Sequence, residues 1–162
     1  RQPVALREIL ERELNDFRST YSEAVVTVDD PAPEVRVTAN EMLDSVFRNL
    51  LKNAIQHNDK EVPKVDVSAF ERGDDVIVQV ADNGPGIPDD KKEEIFGKGE
   101  KGLDSQGTGL GLFLVKTLIE GFGGNVWVED RPKPGAENRG MRSDDSDRYG
   151  AVFVVKLPIA SV

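Results

Sequence analysis

The chain has 162 residues, 38% hydrophobic and 31% charged, which is the size and composition of one globular domain with a real core. It has no cysteine and a single histidine, which excludes disulfides and thiolate metal centres and argues against a transition-metal site. The formal net charge of −9 disfavours nucleic acid or an anionic membrane surface as a partner, and no apolar run approaches the ~18 residues that span a bilayer.

Leu6, Ile9, Leu10, Leu14 and Phe17 recur at helical spacing, which predicts an amphipathic helix over Ala5–Ala24. Short strands are expected at Val25–Val28 and Val35–Val37, on either side of a turn at Pro31 and Pro33. Thr38 or Asn40 can cap the next helix, which carries the stretch Val46–Asn58. At about 100° per residue, Leu43, Phe47, Leu50, Leu51, Ala54 and Ile55 share one apolar arc. Asn49, Asn53, Gln56 and His57 share an adjoining strip, with Asn49 and Asn53 stacked one turn apart. Carboxamides are poor helix formers. The pair is therefore either a solvated polar edge or a row of neutral ligands facing a nucleotide and its metal.

Lys64–Glu71 and Asp75–Asp82 alternate as strands, and Gly73 between them predicts a hairpin. The second strand runs into Asp82-Asn83-Gly84-Pro85-Gly86-Ile87-Pro88, a tight glycine-rich turn. Asp82 there can accept a hydrogen bond from an exocyclic amine, while Gly84 and Gly86 let a flat base near the backbone; an ordinary turn aspartate is the alternative. Asp89–Phe96 is predicted to be a short polar helix, and Gly97–Gln106, with little that can pack, a mobile loop. Gly107-Thr108-Gly109-Leu110-Gly111-Leu112 then opens an apolar helix that ends at Gly121–Gly124. Glycines at a helix start let backbone N–H groups meet an anion, though such turns are also common without a ligand. This stretch is not a P-loop, since no Lys-Ser or Lys-Thr follows, nor a dinucleotide fingerprint, since a loop precedes it. Val126–Val128 and Ala151–Leu157 are read as strands, with Trp127 as core. Arg131–Tyr149, nearly without aliphatic residues, is read as a long surface loop or disordered segment. The strands lie close in sequence, so a largely antiparallel sheet with about three main helices on one side is expected.

In order and spacing, the Asn-x-x-x-Asn helix, the Asp-x-Gly-x-Gly turn, the loop and the Gly-x-Gly-x-Gly helix start resemble a known family. It is the catalytic, ATP-binding domain of two-component sensor histidine kinases, in the superfamily shared with DNA gyrase B, the ninety-kilodalton heat-shock chaperones and the MutL proteins. Asn49–Asn58 looks like the N box, Asp82–Ile87 the first glycine box, Ile95-Phe96 the F box and Gly107–Leu112 the second glycine box. Gly123–Glu129, Gly150–Phe153 and Leu157-Pro158 also match, so the resemblance covers nearly the whole chain. It implies an α+β fold, a two-layer α/β sandwich of the Bergerat type whose mixed, mostly antiparallel sheet packs on about three helices. A single domain over residues 1–162 is expected, with a lid at about 89–106 and a flexible surface loop at about 131–149.

The resemblance also implies roles. Asn53 is expected to coordinate Mg²⁺, with Asn49 as the second catalytic position, supporting the metal or the phosphates. Asp82 is expected to hold the adenine amino group, with Gly84, Gly86 and Ile87 lining the base. The backbone of Gly107, Thr108, Gly109, Leu110 and Gly111 would cradle the triphosphate of ATP, and Lys98 or Lys101 would neutralise its charge. Gln56 stands where the family often has lysine, and Ala151 where threonine is frequent. His57, the only histidine, is read as a wall of the site and not as the phosphoacceptor.

The function implied is to bind MgATP and donate its γ-phosphoryl group to a histidine on a separate dimerisation and phosphoacceptor domain, expected upstream of Arg1. A response regulator would be an indirect partner. Nucleic acid and direct membrane contact are not expected, and the location would be cytoplasmic, whether in a free protein or as the cytoplasmic part of a membrane-bound sensor. A non-catalytic ATP-sensing module and an anti-sigma-type serine kinase of the same superfamily are the alternatives. The isolated chain is expected not to autophosphorylate. It should hydrolyse ATP slowly, because Asn49 stands where the superfamily's ATPases have a general-base glutamate.

Overall fold

The computed structural model of the chain describes residues 1–97, 110–132 and 148–161. In order, the elements are β1 (Gln2–Ala5), α1 (Leu6–Thr20), β2 (Val25–Asp30), β3 (Arg36–Ala39), α2 (Leu43–Gln56), β4 (Lys64–Arg72) and β5 (Asp75–Asp82). Two single 3-10 turns (Asp89–Lys91 and Glu94–Phe96), α3 (Gly111–Gly121), β6 (Asn125–Pro132) and β7 (Arg148–Pro158) complete them. Five strands form one sheet in the order β2-β4-β5-β7-β6, and β1 pairs with β3 in a small antiparallel ribbon. Only the β2–β4 pairing of the large sheet is parallel, because α2 lies between those strands in the chain and supplies the crossover that parallel neighbours need. The mixed, mostly antiparallel sheet backed by a helix layer is the expected α+β sandwich.

Strand alternation assigns the faces. Val65, Val67 and Ala69 of β4, and Val76, Val78 and Val80 of β5, turn toward the helices and are buried. They meet Phe47, Leu50 and Leu51 of α2, Val115 and Ile119 of α3, and Phe153 and Val155 of β7 in one core. Each such side chain contributes about 1.5–3 kcal/mol when fully buried. Neither Thr38 nor Asn40 caps α2, whose N-cap is Met42; Asn40 Oδ1 accepts the N–H of Met42 at 2.8 Å in the turn that leads into the helix. Glu13 of α1 is buried and bonded through both carboxylate oxygens to Arg48 of α2, each at 3.1 Å, which staples the two helices.

Several expectations change. Helix α1 ends at Thr20 and not at Ala24, since its apolar stripe closes at Phe17, which packs on Tyr21 with ring centroids 4.8 Å apart. Strand β1 has no local signal, because its partner β3 is remote in sequence. The stretch 89–96 makes two 3-10 turns in place of a helix, held down by buried Ile95 and Phe96. Trp127 lies outside the main core, and its Nε1–H donates to Glu129 Oε2 at 2.6 Å. The ends of the stretch 131–149 are strand, not loop: β6 runs to Pro132, which pairs with Arg148. Backbone pairing and polar contacts there replace the missing aliphatic side chains. Residues 98–106 and 133–147, read as mobile loops, lie outside the described residues. Among the described residues no helix is long and apolar enough to cross a membrane.

Candidate functional site

A cavity of about 350 Å³ opens between the C-terminal half of α2, the turn after β5 and the start of β7. Seven of the residues singled out from the sequence line it: Asn53, Gln56, His57, Asp82, Gly86, Ile87 and Ala151. Phe153 of β7 contributes an apolar wall.

Asp82 continues the inward alternation of β5 and is only 8% exposed. Its Oδ1 accepts two backbone N–H groups, from Gly84 at 2.9 Å and from Ala151 at 3.2 Å. Among the described residues Oδ2 accepts none, so one carboxylate oxygen is anchored and the other remains for a donor in the cavity. Burial pushes the Asp82 carboxyl above its usual range, against the opposing pull of those two N–H groups, Arg131 and Lys60. A raised pKa on a cleft carboxylate is a common mark of a working site.

Two glycines make this position possible. A Cβ on Gly84 would stand 3.2 Å from Asp82 Oδ1 and 3.4 Å from the carbonyl of His57. At Gly150, with φ 139°, a Cβ would stand 1.9 Å from the carbonyl oxygen of Asp82. Ala151 brings no hydroxyl, and it contributes through its N–H, which holds Asp82 Oδ1.

Asn53 is 9% exposed and faces the same cavity, and its carboxamide makes no hydrogen bond among the described residues. Its amide atoms are not sealed from solvent, so they are open to a ligand in the cavity. Its oxygen is the kind of hard donor that Mg²⁺ takes. Among the described residues no cluster of histidines or carboxylates could hold a metal instead.

Asn49 is placed differently. Its Nδ2 donates to the carbonyl of Ser45 at 2.7 Å, and its Oδ1 is 2.9 Å from where a Cβ on Gly111 would be. The first turn of α3 therefore sits against Asn49, one helical turn away from Asn53. Leu110 is exposed just before α3. Lys98, Lys101, Gly107, Thr108 and Gly109 lie outside the described residues.

Three supporting groups escaped the sequence reading. Asn83 Oδ1 accepts from Asn58 Nδ2 at 2.7 Å and from the N–H of Lys64 at 2.9 Å, joining the end of α2 to the glycine turn. Both are asparagines at chain reversals, a turn signal that could have found them. Lys92 donates to the carbonyl of Ile87, and Arg131 to the carbonyl of Asp82. Nothing local in the sequence marks either contact.

Residues 38–161 match a family model described as histidine kinase-, DNA gyrase B- and HSP90-like ATPase. The chain is 32% identical over 142 residues to the adaptive-response sensory kinase SasA of Synechocystis, covering 83% of this chain and 37% of that protein. It therefore spans well under half the length of that relative. Its fold superposes on the mycobacterial sensor histidine kinase MprB with a TM-score of 0.80 at 23% identity, covering 99% of each chain. Full-length ShkA, whose structure was determined in complex with AMPPNP, is similar at a TM-score of 0.73 and 26% identity, over 99% of this chain and 31% of that one.

Proposed function

The chain belongs to the histidine kinase-, DNA gyrase B- and HSP90-like ATPase family, and on that premise we propose that it binds MgATP in the cavity beside Asp82 and donates the γ-phosphoryl group to a histidine of a separate phosphoacceptor domain. The observation that carries this reading is the half-used carboxylate of Asp82: one oxygen fixed by two backbone N–H groups, the other without a partner among the described residues. Such a group is built to accept a hydrogen bond from the adenine amine. Gly86 and Ile87 give the base a flat approach, and Phe153 gives it an apolar wall.

Phosphoryl transfer asks for positioning and charge neutralisation more than for covalent help. Asn53 would supply an oxygen to Mg²⁺, which when bound offsets the charge of the phosphates. Asn49, tied to its own helix and abutting α3, would fix the first turn of that helix near the phosphate end. A carboxamide cannot take a proton from water at neutral pH. An incoming imidazole brings its own lone pair and needs no base, so the site favours a histidine acceptor over hydrolysis. The sensory kinase relative supports this assignment, and a response regulator would then receive the phosphoryl group. The domain would work on the cytoplasmic side, where ATP is.

Calorimetric titration tests the reading. Wild type should bind ATP with a Mg²⁺ dependence that Asn53→Ala loses, and Asp82→Ala should lose base recognition. Equal ATP affinity in all three proteins would remove the assignment.

A further inference from the structure

Both ends of the turn that carries Asp82 are tied to two adjacent residues of β6. At its start, Arg131 Nη1 donates to the Asp82 carbonyl at 3.0 Å. At its end, Lys92 Nζ donates to the Ile87 carbonyl at 2.9 Å and lies 3.0 Å from Asp130 Oδ1. Asp130 and Arg131 are neighbours on a strand and so point to opposite faces of the sheet. The strand thus reaches the turn from both faces.

Arg131 is fixed by more than this one bond. Its Nη2 donates to Asp66 Oδ2, and Asp66 Oδ1 accepts from Thr27 Oγ1. The guanidinium carbon lies 5.3 Å from the centroid of the Tyr149 ring. A planar fork held by a carboxylate, an aromatic face and a carbonyl has little freedom, and the carbonyl it holds shares that restriction. Gly150 is part of the same arrangement, since a Cβ there would collide with the carbonyl oxygen that Arg131 engages. Ordering a long arginine side chain has an entropic cost. Here the contact it secures is at the cavity, two strands away from the edge strand that bears it.

We infer that Asp130 and Arg131 are positioning residues for base recognition: from β6 they fix the turn Asp82–Ile87, and Arg131 sets where Asp82 presents its carboxylate. The inference rests on the reading of the cavity as an adenine site. It gives a role to the start of a stretch that the sequence left without one. Asp82 reads the exocyclic amine, so a shift in its backbone changes discrimination by that amine more than it changes contacts to the phosphates.

Calorimetric titration with MgATP and with MgITP, which carries a carbonyl oxygen in place of the amine, tests this beside thermal melts. Arg131→Gln is expected to weaken ATP binding roughly two- to thirtyfold, the range for network residues that touch no ligand, and ITP binding by less. Arg131→Lys, which keeps the charge but not the fork, should recover part of the selectivity. Asp130→Asn, which among the described residues leaves Asp89 as the one carboxylate paired with Lys92, should move it in the same direction by less, and these two variants keep the test decisive if Arg131→Gln folds poorly. Equal losses for ATP and ITP would mean a purely structural role and overturn the inference, as would unchanged ATP affinity in Arg131→Gln. A wild type that does not distinguish ATP from ITP would remove the adenine reading and the inference with it. That failure is told apart because it shows before any β6 variant is compared.

Discussion

The carboxamides of Asn58 and Asn83 meet at 2.7 Å across the gap between the end of α2 and the glycine turn. Asn83 also accepts the N–H of Lys64 at 2.9 Å and donates to the carbonyl of Val62 at 3.2 Å, while Asn58 Oδ1 accepts the N–H of Lys60 at 2.9 Å. The two walls of the cavity are therefore joined through this pair of side chains.

Asn83→Ala and Asn58→Ala should cost similar amounts, because each strands a backbone donor and an acceptor as well as the partner amide: Lys64 and Val62 in the first case, Lys60 and Ala54 in the second. Some of those groups reach water, so a loss of about 1–2 kcal/mol is expected for each, at the lower end for broken hydrogen bonds. Urea denaturation of both single variants and the double variant measures it. Strictly additive losses would mean that the Asn58–Asn83 bond contributes nothing.

Asp82→Asn should stabilise the fold while weakening nucleotide binding. Burial raises the folded pKa of this acid. Its stabilising contribution is then present below the unfolded pKa and lost as pH rises through the folded value, so the ionised form at neutral pH is a cost. Asparagine keeps an oxygen for the N–H groups of Gly84 and Ala151 and removes the charge. A gain of a few degrees in melting temperature is expected at neutral pH, at about 2–4 °C per kcal/mol for a chain of this size. The gain should shrink toward acid pH. Melts across that range decide it, and a variant less stable than wild type at neutral pH would contradict the sign.

Gly150→Ala should be the most damaging small substitution near the site. The new Cβ would stand 1.9 Å from a backbone oxygen, at a φ of 139°. Overpacking and positive-φ strain together suggest about 3 kcal/mol, or a melting temperature lower by about 6–12 °C. What remains folded should bind ATP weakly, because Asp82 must shift to make room. A melt within a degree or two of wild type would show that the strand yields freely.

Phosphate release from ATP by the chain alone should be very slow. Asn49 offers no base, and general-base help is typically worth about 10²–10⁴ in rate. Asn49→Glu should gain only a small part of that, because the side chain at this position lies against α3 and not in the cavity. Brisk hydrolysis by wild type would contradict the assignment of Asn49.

Much of the site was legible because its signals are local. The alternation of Val76, Val78 and Val80 carries on to Asp82 and turns it inward, and the strip on α2 brings Asn53 and His57 to the cavity. The same strip carries Asn49 outside the described cavity. A step of four residues keeps the helix face but rises one turn, enough to carry Asn49 from the cavity to α3. The contacts of Arg131 were illegible for a different reason: Asp82 lies 49 residues away and Asp66 lies 65 away, and no periodicity spans such distances. Gly150 stands in a stretch that the resemblance already marks, but its close approach to Asp82 is visible only when β7 is set beside β5.

The pairing of Pro132 with Arg148 at the sheet's edge bears on how this chain tolerates extra length. Joining two points already held together costs entropy that grows only with the logarithm of the connection, about 0.6 kcal/mol for each doubling. On loop-closure entropy alone, added or removed residues between 133 and 147 alter stability little, provided they stay beyond Arg131 and before Tyr149. The same economy makes the stretch a place to open the chain. A circular permutant with its termini there would keep every sheet hydrogen bond that supports Asp82, and would show that base recognition does not need β6 and β7 to be covalently joined.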